Sequence, residues 1–595
     1  MTVTDEPVDV AWNIDTLLGD DDVAGLLDRA DGLADRLAEA HGSVASLDAA
    51  ALADHLRRSA ELQELVGRAA AYAMLRYSAD TTDAEAGALL QQVTERNAAI
   101  ETKLLFFELE WAALTEEQVA ALVDDPALTF ARHHLISLRR YRDHLLTEPE
   151  ERILTEKAVT GSSAWSRLFD ELNSAITVEL PDGEATRSAS LEEALSSLAS
   201  PEREVRREAA EAVTVALEPG IRSRAFVFNT LLADKATDDR LRGYPSWVAS
   251  RNLANEASDE SVQALVDAVV ARYDIPRRWY GLKSDILGHP LADYDRGASI
   301  AESETMIGWT EARDLVLDAY ASFSGELADV ARRFFEESWI DAPVRPGKRP
   351  GAFCHYTVPS HHPYVLLNWT GRQRDVLTLA HELGHGLHGY LSREQGVFHQ
   401  WTPLTLAETA SVFGETVTFG RLLEETTDPG DRLALLAAEV EGSIATVFRQ
   451  VSMNRFEHAV HTERREVGEL SVERFNELWA GTQTDLFGDS VEVTEGYRSW
   501  WSYIPHFIAT PGYVYAYAYG QLLALSVYAR YEERGADFVP AYLELLASGG
   551  SMPPEELGRI VDCDLADPGF WDAGLEIVSR QVDHAEEAAT AAGRR

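Results

Sequence analysis

Lysine is nearly missing from this chain of 595 residues: of its 53 basic residues, five are Lys and the rest Arg. Acidic residues number 99, so the formal net charge is −46 and positive charge is scarce throughout. Such a surface repels polyanions, which argues against nucleic acid and anionic membrane as partners. Cysteine is scarcer still, with only Cys354 and Cys563. Two are too few for a disulfide framework at this length, and a reducing compartment is expected. The opening Met1-Thr2-Val3-Thr4-Asp5-Glu6 has neither the basic start nor the apolar run of a secretory leader, so cytoplasmic residence is expected. A bilayer-crossing run is also wanting. The longest uncharged stretch, residues 499–529, is broken by Pro505, His506, Pro511, Gly512 and six tyrosines, with no basic cluster at either flank.

What is present is a large core. Hydrophobic residues make up 45% and aromatics 9%, which places the chain among globular proteins in spite of its charge. The acidity with little lysine fits either life in concentrated salt, where screening removes self-repulsion, or a GC-rich genome. Apolar residues recur at helical spacing in Leu17–Leu37, Ala50–Leu65, Ala84–Phe107 and Glu117–Val123, and helical patterns resume from Ser190 to about Phe335. Strand-like alternation is confined to a few places. Ile176–Leu180 followed by Pro181-Asp182-Gly183 predicts a hairpin. Gly351–Asn368, inside a second uncharged stretch (Pro350–Gly371), predicts two strands around Pro359-Ser360-His361-His362-Pro363. Both uncharged stretches are expected to be buried walls of a site.

Between them lies His381-Glu382-Leu383-Gly384-His385, an H-E-x-x-H that a chain with 17 histidines produces by chance only about 0.04 times. On a helix, residues four apart lie about 40° apart in projection, so both imidazoles can reach one metal ion while Glu382 reaches a water beside it. Val376, Leu377, Leu379, Ala380, Leu383 and Leu387 make this helix apolar enough to bury, and a buried histidine pair favours zinc. Catalytic zinc takes three protein ligands and leaves the fourth position for water. Glu408, set among small and apolar residues, is the best third ligand, with His388 and His399 as alternatives. Glu415, two turns further on, suits an acceptor for a ligand histidine or a core-edge carboxylate.

These residues, together with Trp12-Asn13-Ile14-Asp15, Tyr141–Leu146 with Glu150-Glu151, Ala164–Phe169, Gly347–Cys354, Ala407–Ser411 and Pro505-His506-Phe507, resemble the oligoendopeptidase F branch of the thimet-oligopeptidase-like zinc metallopeptidases. The resemblance covers nearly the whole chain. It implies a mainly α, multi-helix, clam-like zincin with a small β-sheet beside the zinc helix and a deep central channel, acting on short peptides. By the same resemblance His381, His385 and Glu408 are the ligands of one Zn²⁺ per chain and Glu382 the catalytic base. Expected divisions are a helical region over 1–115, an oligoendopeptidase-F-like subdomain over 116–189, the catalytic domain over 190–585 and a tail over 586–595.

An oxyanion formed on the scissile carbonyl needs donors. His506, Tyr513, Tyr515 and Tyr517 are the candidates, of which His506, Tyr513 and Tyr517 are preferred. Relatives carry a His/Tyr-rich loop here, although Gly512 stands where an aromatic is usual in the family. Tyr513, Tyr515, Tyr517 and Tyr519 alternate, which would place all four on one face of an extended segment. An edge strand in Gly351–Asn368 would let a peptide add through its main chain. The expected activity is cleavage of internal bonds of short peptides. A carboxypeptidase would need a cation for the terminal carboxylate, for which Arg372, Arg374 and Arg498 are available, and a metal-free helical scaffold is the third alternative.

Overall fold

The computed structural model describes residue 7 and residues 9–158, 160–183, 185–300 and 305–595; the opening Met1–Glu6, on which the leader argument rests, lies outside them. Helices account for 72% of the chain, with small sheets, so the expectation of a mainly α protein holds. The chain forms two compact units. One comprises Met1–Arg142, Glu304–Glu425 and Val527–Asp564, and the other Asp143–Ser303, Thr426–Ser526 and Leu565–Arg595.

The first unit opens with α1 (Val23–Ala38), α2 (Ala49–Ala79) and α3 (Ala84–Ala112). Each starts at an aspartate whose carboxylate accepts amides of the first turn: Asp22 from Gly25, Asp48 from Ala51, and Asp83 from Glu85 and Ala86. Leu26, Leu27, Ala30, Leu33, Ala34 and Leu37 of α1 line one face and pack on Leu62, Leu65, Val66, Ala69 and Ala73 of α2. Full burial of one such leucine is worth about 1.5–3 kcal/mol.

The second unit contains the expected hairpin, β1 (Thr177–Asp182) antiparallel to β2 (Ala185–Ser190), and the helices α4 (Arg203–Leu217) and α5 (Ile221–Arg242). Its core is aromatic: Phe228 of α5 stacks with Phe475 and Phe507, and Trp479 packs on Phe456.

Back in the first unit, α6 (Trp309–Phe323) and α7 (Gly325–Glu336) lead to a three-stranded sheet of β3 (Ile340–Pro343), β4 (Phe353–His355) and β5 (Tyr364–Trp369), in the order β3-β5-β4. The two strands expected in Gly351–Asn368 are β4 and β5. They run antiparallel with Cys354 opposite Val365, and β4 is an edge. Then α8 (Gln373–Ser392) begins where Asp375 accepts the amides of Thr370 and Arg372. After a single turn at Leu404–Ala407 comes α9 (Thr409–Glu425).

A π-helical turn, Ile444–Phe448, runs into α10 (Arg449–Val467), followed by α11 (Val472–Phe487). The four alternating tyrosines do not form an extended face. The helix α12 (Tyr515–Arg534) starts among them, because Ala516, Ala518, Leu522, Leu523, Leu525 and Val527 continue an apolar pattern of helical period. Tyr515 and Tyr519 therefore turn into the core, Tyr515 accepting Asn255 Nδ2 at 2.9 Å and Tyr519 packing on Trp571 of α13 (Pro568–Ala591). Among the described residues no helix is long and apolar enough to cross a membrane.

Candidate metal centre and the aromatic loop

His381 and His385 project from one face of α8, and Glu408 sits between the short turn and α9. The three offer one donor atom each, all within 4.8 Å of one another. Glu408 Oε2 lies 3.4 Å from His381 Nε2 and 3.5 Å from His385 Nε2, and it accepts the Ser411 hydroxyl at 2.6 Å. Two imidazoles and a carboxylate converging this closely suit a divalent ion with a position left for water. His381 Nδ1 faces Glu415 Oε2 at 3.1 Å, the contact that fixes which ring nitrogen points at the group.

The helices can approach because of glycine. A Cβ on Gly384 would stand 2.4 Å from the carbonyl oxygen of Ala410 and 2.6 Å from Ser411 Cα, so any larger residue forces α8 and α9 apart. On the neighbouring turn the Tyr320 hydroxyl donates to Ala380 O at 2.9 Å, pinning the residue that precedes His381.

Electrostatics follow from burial. Burial lowers the His385 pKa to about 4 against the pull of Glu408, leaving a neutral imidazole with a lone pair to give. Burial also opposes charge on His381, but the hydrogen bond to Glu415 and the carboxylates of Glu408, Glu415 and Glu382 raise it to about 9. Against the cost of burial, His385, His381 and Ser411 hold the Glu408 carboxyl below its ordinary range. Glu382 is pushed up to about 7 by burial first, with Glu408 and Glu415 adding to it, while His381 and the Cys354 amide of edge strand β4 pull it down. A carboxyl poised near neutrality is suited to both accepting and returning a proton.

His388 and His399 stand apart from this group. His388 is buried beside Tyr356, and its pKa is driven down to about 3, mainly by burial. His399 Nε2 accepts the amide of His134 at 3.1 Å.

In the second unit, His506, Tyr513 and Tyr517 come together while Tyr515 does not. His506 Nε2 is 3.3 Å from the Tyr517 hydroxyl, and the rings of Tyr513 and Tyr517 meet edge to face at 5.1 Å. Burial and then the charge of Arg449 hold the His506 imidazole below its ordinary pKa, hence neutral. Gly512 fixes the loop between them. It adopts φ +73°, its amide donates to Glu457 Oε1 at 2.8 Å, and a Cβ there would lie 3.3 Å from Val248 and 3.4 Å from Trp247.

Glu457 was not singled out above, yet its carboxyl is fully buried, and its Oε2 has no hydrogen-bond partner. The signal was present: an acid flanked by Met453, Phe456 and Val460 at helical spacing is an acid in a core. Of the arginines considered for a terminal carboxylate, Arg498 pairs with Glu495 at 3.0 Å.

Residues 320–577 match the sequence family described as Peptidase family M3, and residues 110–177 match that described as Oligopeptidase F. The chain is 27% identical over 557 residues to oligopeptidase PepF of Bacillus subtilis, covering 90% of this chain and 81% of the relative. A solved structure from Chlamydophila abortus is similar with a TM-score of 0.86 at 23% identity, covering 97% of this chain and 98% of the other. That of oligoendopeptidase-F from Enterococcus faecium has a TM-score of 0.72 at 21% identity, covering 95% and 98%. These two likenesses bear on the fold.

Proposed function

We propose, from the premise that the chain belongs to peptidase family M3 in its oligoendopeptidase F branch and is a metalloendopeptidase acting on peptides, that its metal is zinc and that Glu382 is its general base. The observation that carries this reading is the convergence of His381, His385 and Glu408 with Glu382 beside them at edge strand β4. The three ligands would hold one ion per chain. When bound, zinc supplies Lewis acidity, acidifying the attacking water and polarising the scissile carbonyl.

The remaining steps belong to side chains. Glu382 takes the proton of the attacking water and hands it to the leaving amine. Strand β4, at the edge of its sheet, would let an extended peptide add through its main chain, which orients the substrate with little regard to its side chains. His506, Tyr513 and Tyr517 are assigned as donors to the oxyanion. Glu415 keeps His381 in the tautomer that presents Nε2.

Two measurements test this. Metal analysis of protein never exposed to chelator should find about one zinc per chain; protein free of zinc would sink the metal assignment. Internally quenched peptides blocked at both ends should be cut at interior bonds. Release of single carboxy-terminal residues from unblocked peptides, with blocked ones untouched, would make the enzyme a carboxypeptidase instead.

A further inference from the structure

A separate cavity of about 480 Å³ lies wholly within the second unit, bordered by the segment that leads into His506. Tyr280, Tyr497, Tyr503, Arg296 and Arg449 line it, with Glu441 at its edge. The charged groups around it can be accounted for one by one. Glu441 is neutralised by Lys283, Nζ to Oε1 at 2.5 Å. Asp293 accepts the amide of Thr494 at 2.6 Å. The Arg296 guanidinium donates to the Tyr497 hydroxyl at 2.9 Å and to Asp293 O at 2.8 Å, and lies against the rings of Phe487 and Tyr497.

Arg449 is left over. Its Nε is buried without a hydrogen-bond partner, and among the described residues it forms no ion pair. Arg449 is half-buried at the cavity wall, and its unanswered guanidinium is placed to take an anion that arrives later. Two local features agree. Arg449 directly follows the π-helical turn Ile444–Phe448, whose Ile444 and Ala445 line the same cavity, and such turns cluster at functional sites. The walls are aromatic rings, which lower the local dielectric and strengthen an ion pair formed there. The cavity also adjoins the proposed catalytic loop: Tyr503 is three residues before His506, and the charge of Arg449 is felt at the His506 imidazole.

We propose that this cavity is a subsite for a carboxylate of the bound peptide, with Arg449 as its ion-pair partner. The planar fork of a guanidinium matches a carboxylate in two parallel hydrogen bonds, and the phenols supply further donors. The proposal rests on the peptidase reading, since it names which peptides bind well. Two sources offer the same chemistry: the free carboxyl terminus of the peptide, or an Asp or Glu side chain within it.

The test is equilibrium binding to the Glu382→Gln protein, which leaves the peptide intact. One peptide is used in three forms: free acid, carboxy-terminal amide, and amide with a Glu placed near the end. The free acid should bind about 10–100-fold more tightly than the plain amide. Arg449→Gln should erase the difference by weakening the acid alone, and Arg449→Lys should restore part of it. Tight binding of the Glu-containing amide, with no preference for the free acid, assigns the site to a side-chain carboxylate. Equal binding of charged and neutral forms overturns the proposal, as does an Arg449→Gln protein that loses affinity for every form alike. The comparison of acid with amide needs no change at Arg449, so it stands even where that variant folds poorly. Turnover by the unaltered enzyme separates the two readings: selective binding without hydrolysis would sink the peptidase mechanism and spare the subsite, whereas hydrolysis indifferent to the terminus would do the reverse.

Discussion

Two regions of this protein hold the groups assigned to catalysis, and they are held in different ways. In α8 and α9 the side chains ride on regular helices: His381 and His385 one turn apart, Glu408 at the start of the next long helix, and Glu415 two turns on. Their positions follow from backbone geometry and from one close approach at Gly384. His506 and Tyr513, which meet Tyr517 of α12, depend instead on a turn whose shape is imposed from elsewhere in the chain, by Glu457, Trp247 and Val248 acting on Gly512. The lesson is that rigidity of a site can come from local regularity or from distant contacts, and that only the first leaves a spacing in the sequence.

The largest expected effect breaks the first region chemically while sparing its shape. Glu382→Gln should lower kcat by about 10²–10⁴-fold, since the amide cannot take a proton, while zinc content stays at the level of the unaltered protein. Retained turnover would remove Glu382 from its role. Next comes a pair in the second region. Tyr517→Phe deletes a hydroxyl beside His506 and should lower kcat about 10²-fold with little change in unfolding midpoint. Tyr515→Phe deletes a hydroxyl bonded to Asn255 in the core and should leave kcat alone while costing about 1 kcal/mol in stability. A reversal of the two results would mean that the loop presents the other face of α12 to substrate.

This pair also shows where the sequence was legible. The convergence of His381, His385 and Glu408 was readable because H-E-x-x-H maps onto one turn of helix, and because an acid among small residues at Glu408 requires a partner. The paired strands β4 and β5 followed from an uncharged run around a proline-bounded turn. The tyrosines were misread because period two in Tyr513–Tyr519 competes with the longer apolar pattern of α12, and the longer pattern decides. Arg449 could not be identified by spacing, and the helical spacing of Met453, Phe456 and Val460 marks Glu457 as a core acid without showing what it holds. An unanswered arginine is defined by the absence of acids around it in space, and a buried acid by what it touches 55 residues away at Gly512.

A third perturbation attacks the local regularity itself. Gly384→Ala places a methyl 2.4 Å from the backbone of α9, where nothing flexible can yield. Overpacking of this kind costs about 1–3 kcal/mol. The unfolding midpoint should fall and zinc affinity should weaken with it, because the separation of α8 from α9 is the separation of His385 from Glu408. A protein of unchanged stability with weakened zinc binding would show that the helices move apart freely, contrary to the comparison drawn above.

The subtlest test addresses the distant contacts that hold the second region. Burial pushes the Glu457 carboxyl up to about 8, against the pull of the Gly512 amide and of Arg251, so at neutral pH it is a neutral acid bracing the loop. Its folded pKa is above the ordinary value of 4.5, so folding favours the protonated form. The stability tied to that proton is complete below pH 4.5 and is lost as pH rises through 8, at about 1.4 kcal/mol per pH unit within that window. Glu457→Gln keeps an acceptor for the Gly512 amide and carries no titrating group. Denaturant midpoints measured from pH 5 to 9 should therefore fall less steeply for the variant than for the unaltered protein, with the two curves diverging as the buried acid is forced to ionise. Parallel curves would mean that Glu457 ionises in the fold at no cost. A charged carboxylate, not a neutral acid, would then hold Gly512, and the loop would be braced by an ion pair with Arg251.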